Sequence, residues 1–200
     1  MIPFLNPVLL LNLPGMKPIL PPAKIIGCLF LLAFVLYGVG NALVTSSSDE
    51  LTLWVGSVLI ALNSVGVVVI AALLFPILKR YSGRVAMSYL TARAGEAALL
   101  FIGVFSAGNT WAYQTAMLVL GVGSIGFCTV LYRARLVPKP LSVLGLVGYV
   151  SLAAGALCEL WGLPIGLLMS IPGGIFELGF GLWLLLKGLT DNGLTTSVGD

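Results

Sequence analysis

Across its 200 residues the chain is 59% hydrophobic and only 8% charged, carries a net charge of +3, and contains no histidine. A soluble domain has about 25% charged residues, so this composition excludes an ordinary soluble fold and predicts an all-α, polytopic membrane protein. Without histidine, histidine-ligated haem or zinc, HExxH proteolysis and a serine–histidine dyad are impossible. The small positive charge is no nucleic-acid footprint, because the basic residues stand at span ends; no nucleic-acid partner is expected.

Six of the eleven prolines fall within residues 1–22, at positions 3, 7, 14, 18, 21 and 22. Prolines so spaced remove backbone donors and clash with preceding turns, which forbids a continuous helix. Residues 1–22 are therefore expected to form an irregular, apolar interfacial arm, with partner docking as the sharper alternative. The first residues lack a basic n-region and no small-residue cleavage site precedes the first span, so no secretory signal is expected.

Six transmembrane spans follow within residues 23–188. The first runs from about Lys24 to Val44 and ends in the polar run Thr45–Glu50. The second, about Leu51 to Leu78, has Asn63 and Ser64 at mid-span and Pro76 near its end. At ~1.5 Å per residue it exceeds a ~30 Å hydrocarbon core, so it is expected to tilt or bend. The third, Met87 to Phe105, carries Arg93 and Glu96 well inside the crossing. The fourth, about Trp111 to Leu131, holds Gln114, Gly121, Ser124 and Cys128 on one stripe. The fifth covers about Leu141 to Leu160. After a turn at Trp161–Pro164, the sixth continues to Leu186 with Glu177 inside it. Residues 189–200 read as a short polar tail.

Lys17 and Lys24, then Lys79, Arg80 and Arg84, then Arg133, Arg135 and Lys139, and finally Lys187 all fall on one side of this topology. Both termini are thus expected in the cytoplasm, in a cell membrane read as the bacterial inner membrane. Trp54, Trp111 and Trp161 mark the outer interface, and Tyr81, Tyr132 and Trp183 the inner one.

Several stretches resemble a known family. They are Tyr89-Leu-Thr-Ala-Arg-Ala-Gly-Glu-Ala97, Leu131-Tyr-Arg-Ala-Arg-Leu-Val-Pro-Lys-Pro-Leu-Ser142, and the closing segment from Ile171 to Gly188 with its Glu177, Trp183 and Lys187. In that order and spacing they resemble the bacterial membrane domain-of-unknown-function family numbered 4386. Lys139-Pro140 stands where that family leads one to expect arginine and tryptophan, and Ala94-Gly95 replaces two larger aliphatic residues. The resemblance implies a six-helix membrane protein and no established activity.

Intramembrane ionisable groups are costly and normally face a protein interior or a wet cavity. Arg93 lies nine residues beyond Arg84, about 14 Å at ~1.5 Å per residue, and Glu177 lies ten residues before Lys187, about 15 Å. Both therefore belong near mid-membrane, where Arg93 should meet Glu177. Glu96 is on the Arg93 face, because residues three apart are helix neighbours. A small-residue stripe of Ser170, Gly173, Gly174 and Gly181 around Glu177 is expected to admit close approach of the third span.

The candidate polar centre is Arg93, Glu96, Glu177, Asn63, Ser64, Gln114 and Ser124. Two carboxylates against one guanidinium leave one formal negative charge, which in low dielectric calls for a proton on Glu96 or Glu177, or for a bound cation. Glu159, beside Trp161, is expected to be a solvated interface residue. No catalytic set, cofactor or metal site is expected: Cys28, Cys128 and Cys158 lack metal spacing, and no base stands near Ser124 in Gly121–Gly126. The favoured function is a structural or accessory membrane component whose Arg/Glu cluster ties the third and sixth spans, with the bilayer and other membrane subunits as partners. The alternative is binding or transport of a small solute, lipid or proton at the same polar centre. A membrane enzyme acting on a lipid-like substrate comes third.

Overall fold

The computed structural model describes residues 22–46, 48–105 and 110–189. The expected arm therefore falls outside the described residues except for Pro22, and the tail except for Leu189. Six α-helices follow in order: α1 Pro22–Ser46, α2 Glu50–Lys79, α3 Gly83–Phe105, α4 Thr110–Arg133, α5 Lys139–Leu160 and α6 Gly166–Leu186. All six are long and apolar enough to cross a membrane, where only helices or closed barrels satisfy the backbone internally.

Local chemistry accounts for the ends. Pro22 opens α1, a position where its missing N–H costs nothing. Asp49 caps α2 by accepting from the Thr52 amide at 3.0 Å and the Thr52 hydroxyl at 2.9 Å. The Ser82 hydroxyl accepts from the Val85 amide at 3.3 Å, so α3 starts four residues before the predicted Met87. α4 closes in a Schellman arrangement, with Leu136 N–H bonded to the Leu131 carbonyl at 3.2 Å. Arg135 takes the left-handed position there (φ 52°) that glycine usually fills. α5 closes the same way on Gly162 (φ 85°), with Leu163 N–H on the Cys158 carbonyl at 2.9 Å.

The helices form a closed ring. Each packs on its neighbours in sequence, and α1 closes the ring against α6 along its least extensive seam. Glycines set the closest approaches. A methyl group placed on Gly148 of α5 would lie 2.7 Å from the Gly173 backbone of α6, and one on Gly40 of α1 2.9 Å from the Gly56 carbonyl of α2. One on Gly27 of α1 would lie 2.6 Å from the Gly181 carbonyl of α6. Gly121 abuts Tyr149 and Ala153 of α5, Gly123 abuts Ala92, and Gly126 abuts Val85, so close packing accounts for the Gly121–Gly126 run.

This arrangement corrects one expectation. The small residues of α6 do not receive α3: Gly173 meets α5, while Gly174 and Gly181 meet α1. α3 faces α6 across the ring, and Arg93 spans the centre with its side chain rather than through a backbone contact.

The end of the ring holding the α2–α3 and α4–α5 turns carries Lys79, Arg80, Arg84, Arg133, Arg135 and Lys139, and is called the basic end below. Most of the core lies in that half. Tyr89, Phe127, Phe176, Phe180 and Leu184 are all fully buried. Their rings interlock: Tyr89 stacks on Phe127 at 4.6 Å, and Phe180 meets Phe30 edge-on at 5.2 Å and Phe127 at 5.6 Å. A much smaller cluster of Ile60, Leu100 and Ala116 lies toward the opposite, acidic end.

Candidate functional site

Three helices converge on one polar cluster at mid-bundle. Arg93 of α3 is 2% exposed and makes four hydrogen bonds, using most of its five N–H groups. Its Nε donates to the Tyr89 hydroxyl at 3.1 Å, one turn back on α3. One terminal nitrogen donates to Glu96 Oε2 at 2.9 Å. The other donates to Glu177 Oε1 of α6 at 2.9 Å and to the Tyr149 hydroxyl of α5 at 3.3 Å. Tyr149 in turn donates to Glu177 Oε1 at 2.9 Å. The guanidinium also lies over the Tyr89 and Phe30 rings, at 5.5 and 5.8 Å from their centres, in the range of cation–π attraction.

The predicted meeting of Arg93 and Glu177 is thus present, with both ion pairs at 2.9 Å. The two carboxylates differ in access. The Glu96 side chain is 5% exposed and that of Glu177 is 24% exposed. Both border a central cavity of about 190 Å³, to which all six helices contribute, and Glu177 is the more open of the two. Phe30, Phe34, Tyr37 and Tyr113 supply aromatic wall, and Arg93, Glu96, Asn63 and Glu177 supply polar wall. Tyr37 and Tyr113 stack at 5.8 Å toward the acidic end. The aromatic layer around Phe127 and Phe180 closes the side toward the basic end.

Four of the seven residues of the predicted polar centre therefore share this cavity: Arg93, Glu96, Glu177 and Asn63. Asn63 is 4% exposed and forms no hydrogen bond among the described residues. Its neighbour Ser64 instead donates to the Ile60 carbonyl of its own helix at 3.0 Å. Ser124 is fully buried in the α4 packing, without a hydrogen-bond partner among the described residues and away from the cavity. Gln114 is half-buried and also stands off it.

Glu159 is partly exposed and has a structural task beyond the expected interfacial one. Rather than being merely solvated, its Oε1 accepts from the Gly166 amide at 2.8 Å and so caps the start of α6.

Tyr149 and Tyr89 were missed as partners of Arg93, though signals for both existed. Tyr89 is four residues before Arg93 on the same helical face. Tyr149 lies ten residues beyond Lys139, the same depth at which Glu177 precedes Lys187.

A ring of six apolar helices around a mid-span arginine–carboxylate cluster defines a multi-pass helical membrane protein with a polar interior. Among known families, the one described as Domain of unknown function (DUF4386) matches residues 104–188, which takes in α4, α5 and α6. That is the family the sequence resembles, and Tyr149, Glu177 and Lys187 lie inside the matched stretch while Arg93 and Glu96 precede it. No curated protein and no solved structure matches the chain.

Proposed function

We propose that this protein is a binding or transport protein for a small ligand (a solute, a lipid-like molecule or a proton) that occupies the central cavity. It would act in the cell membrane with both termini in the cytoplasm, an orientation supported by the clustering of basic residues at one end. The observation that carries this reading is the position of the charged cluster on a cavity wall, with Glu177 open to it, rather than inside a sealed helix seam. A strut needs no volume beside it. A site for a ligand does, and a concave, mostly apolar space with a few convergent polar groups is the usual form.

The second reading, a purely structural tie, is favoured by the near-saturation of Arg93 by four protein acceptors. Two measurements separate them. Ser170 lines the cavity. In a protein whose three native cysteines are alanine, Ser170→Cys should react with a small water-soluble thiosulfonate. Asn63→Leu should leave thermal stability unchanged or raise it, because it removes a buried amide without a protein partner. An unreactive thiol together with destabilisation by Asn63→Leu and Glu177→Gln would overturn the binding reading and leave the tie.

A further inference from the structure

We propose that the central cavity takes a protonated organic amine with a compact apolar body, and that this ligand enters from the bilayer through the seam between α1 and α6. The proposal rests on the binding reading above and specifies its ligand and its route.

Charge selects a cation. The cluster holds one arginine and two carboxylates, and four protein bonds already engage the arginine. With both carboxylates ionised, an incoming anion would meet surplus negative charge and a guanidinium whose donors are largely occupied. A cation would supply the missing positive charge in a medium where unpaired charge is costly. Arg93 and Tyr149 both donate to Oε1 of Glu177. Its Oε2 therefore has no protein donor among the described residues.

Hydrogen bonding selects an amine with N–H groups over a quaternary or simple metal cation. Asn63 is 96% buried, lines the same cavity and forms no hydrogen bond among the described residues. Buried polar groups are normally satisfied, so its amide oxygen is an acceptor awaiting a donor from outside the protein. No group of three metal-ligating side chains occurs among the described residues.

Volume and wall chemistry select the body. An engineered apolar cavity of about 150 Å³ accommodates benzene, so the ~190 Å³ here holds one ring with a short aminoalkyl arm. Phe30, Phe34, Tyr37 and Tyr113 line the cavity and give an apolar body aromatic wall to pack against.

The α1–α6 seam supplies the way in. Near the basic end α1 is locked to α6 at Gly27 and Gly181, and near the acidic end it is locked instead to α2 at Gly40 and Gly56. Between these points the seam thins. A methyl on Gly174 would meet only the Phe34 ring, at 3.6 Å, and one on Gly38 would meet nothing within 4 Å. Phe34 lines the cavity and is nevertheless 44% exposed. Its ring is thus the barrier between the cavity and the hydrocarbon.

The test uses fluorine NMR of 4-fluorophenethylammonium with the purified full chain in micelles, which reads affinity and exchange rate together. The amine should bind at least about tenfold tighter than 2-(4-fluorophenyl)ethanol, equivalent to about 1.4 kcal/mol, and 4-fluorophenylacetate should not bind. Glu177→Gln should weaken the amine severalfold while leaving the alcohol nearly unchanged, and Asn63→Leu should weaken both, because either N–H or O–H can donate to its amide. Phe34→Ala should raise the association rate. Equal binding of amine and alcohol would overturn the ligand class and leave the binding reading standing. No binding by any probe would overturn the inference, and thiol access at position 170 together with the stability of Asn63→Leu and Glu177→Gln would then decide the reading. An unchanged association rate in Phe34→Ala would overturn the route.

Discussion

The two halves of the ring are built from the same six helices and have been put to different uses. Toward the basic end, interlocked aromatic rings fill the centre and α1 is pressed against α6 at glycine. Toward the acidic end, the buried apolar cluster is small, α1 leans to α2, and volume is left unfilled. At about 24 cal/mol per Å³, an empty apolar cavity of 190 Å³ would cost about 4–5 kcal/mol. Close packing in one half can carry such a cost in the other, and polar wall groups reduce it by accepting water or a ligand. The arginine cluster sits at the border, where the closed half holds Tyr89 and Phe30 beneath it and the open half reaches Glu177. Stability and access are thus divided along the bundle axis.

The largest expected effect tests that border. Arg93→Leu strands Glu96 and Glu177 without a countercharge, and removing one partner of a buried ion pair costs about 3–5 kcal/mol. Denaturant unfolding in micelles should show a collapse of the folded yield; a loss below ~1 kcal/mol would mean that the cluster does not hold the halves together.

Two glycines on α1 sharpen the contrast. Gly27→Ala drives a methyl into the Gly181 carbonyl region and should destabilise by about 1–3 kcal/mol, as overpacking does. Gly38→Ala, with open space around it, should stabilise by about 0.5–1 kcal/mol through helix propensity alone. The same unfolding assay reads both, and effects of equal sign would erase the distinction between a locked and a splayed end of α1.

The smallest effect lies at the acidic end. The Thr52 backbone amide, with help from the Thr52 hydroxyl, holds the Asp49 carboxyl below its usual range. A carboxylate with a depressed folded value contributes stability above its unfolded value and loses it as pH falls through the folded one. The protection of the amides in the first turn of α2, taken relative to their intrinsic exchange rates, should therefore fall below about pH 4. Asp49→Asn should abolish that pH dependence, and a pH-independent wild type would show that the cap is idle.

Much of this was legible in the residue order. Long apolar runs separated by short charged turns set the number and limits of the spans, because a bilayer demands about twenty apolar residues per crossing. The early start of α3 was missed because it depends on one Ser82 hydroxyl, a local bond outside the apolar pattern. The depths of Arg93 and Glu177 followed from helical rise measured from the nearest basic residues. Their contact followed in turn, since buried opposite charges at one depth must meet.

Whether they meet across a packed seam or across an open ring was a different matter. A small-residue stripe says that some helix comes close, and it does not say which: Gly173 receives α5 and Gly181 receives α1. Asn63 and Ser64 are adjacent in sequence, and only the rotation of α2 within the ring turns one into the cavity and leaves the other bonded to its own helix. Apolar spans in lipid have no hydrophobic drive to choose one neighbour over another. That choice falls to steric fit at glycine contacts between distant residues, and the cavity is the volume those contacts leave over.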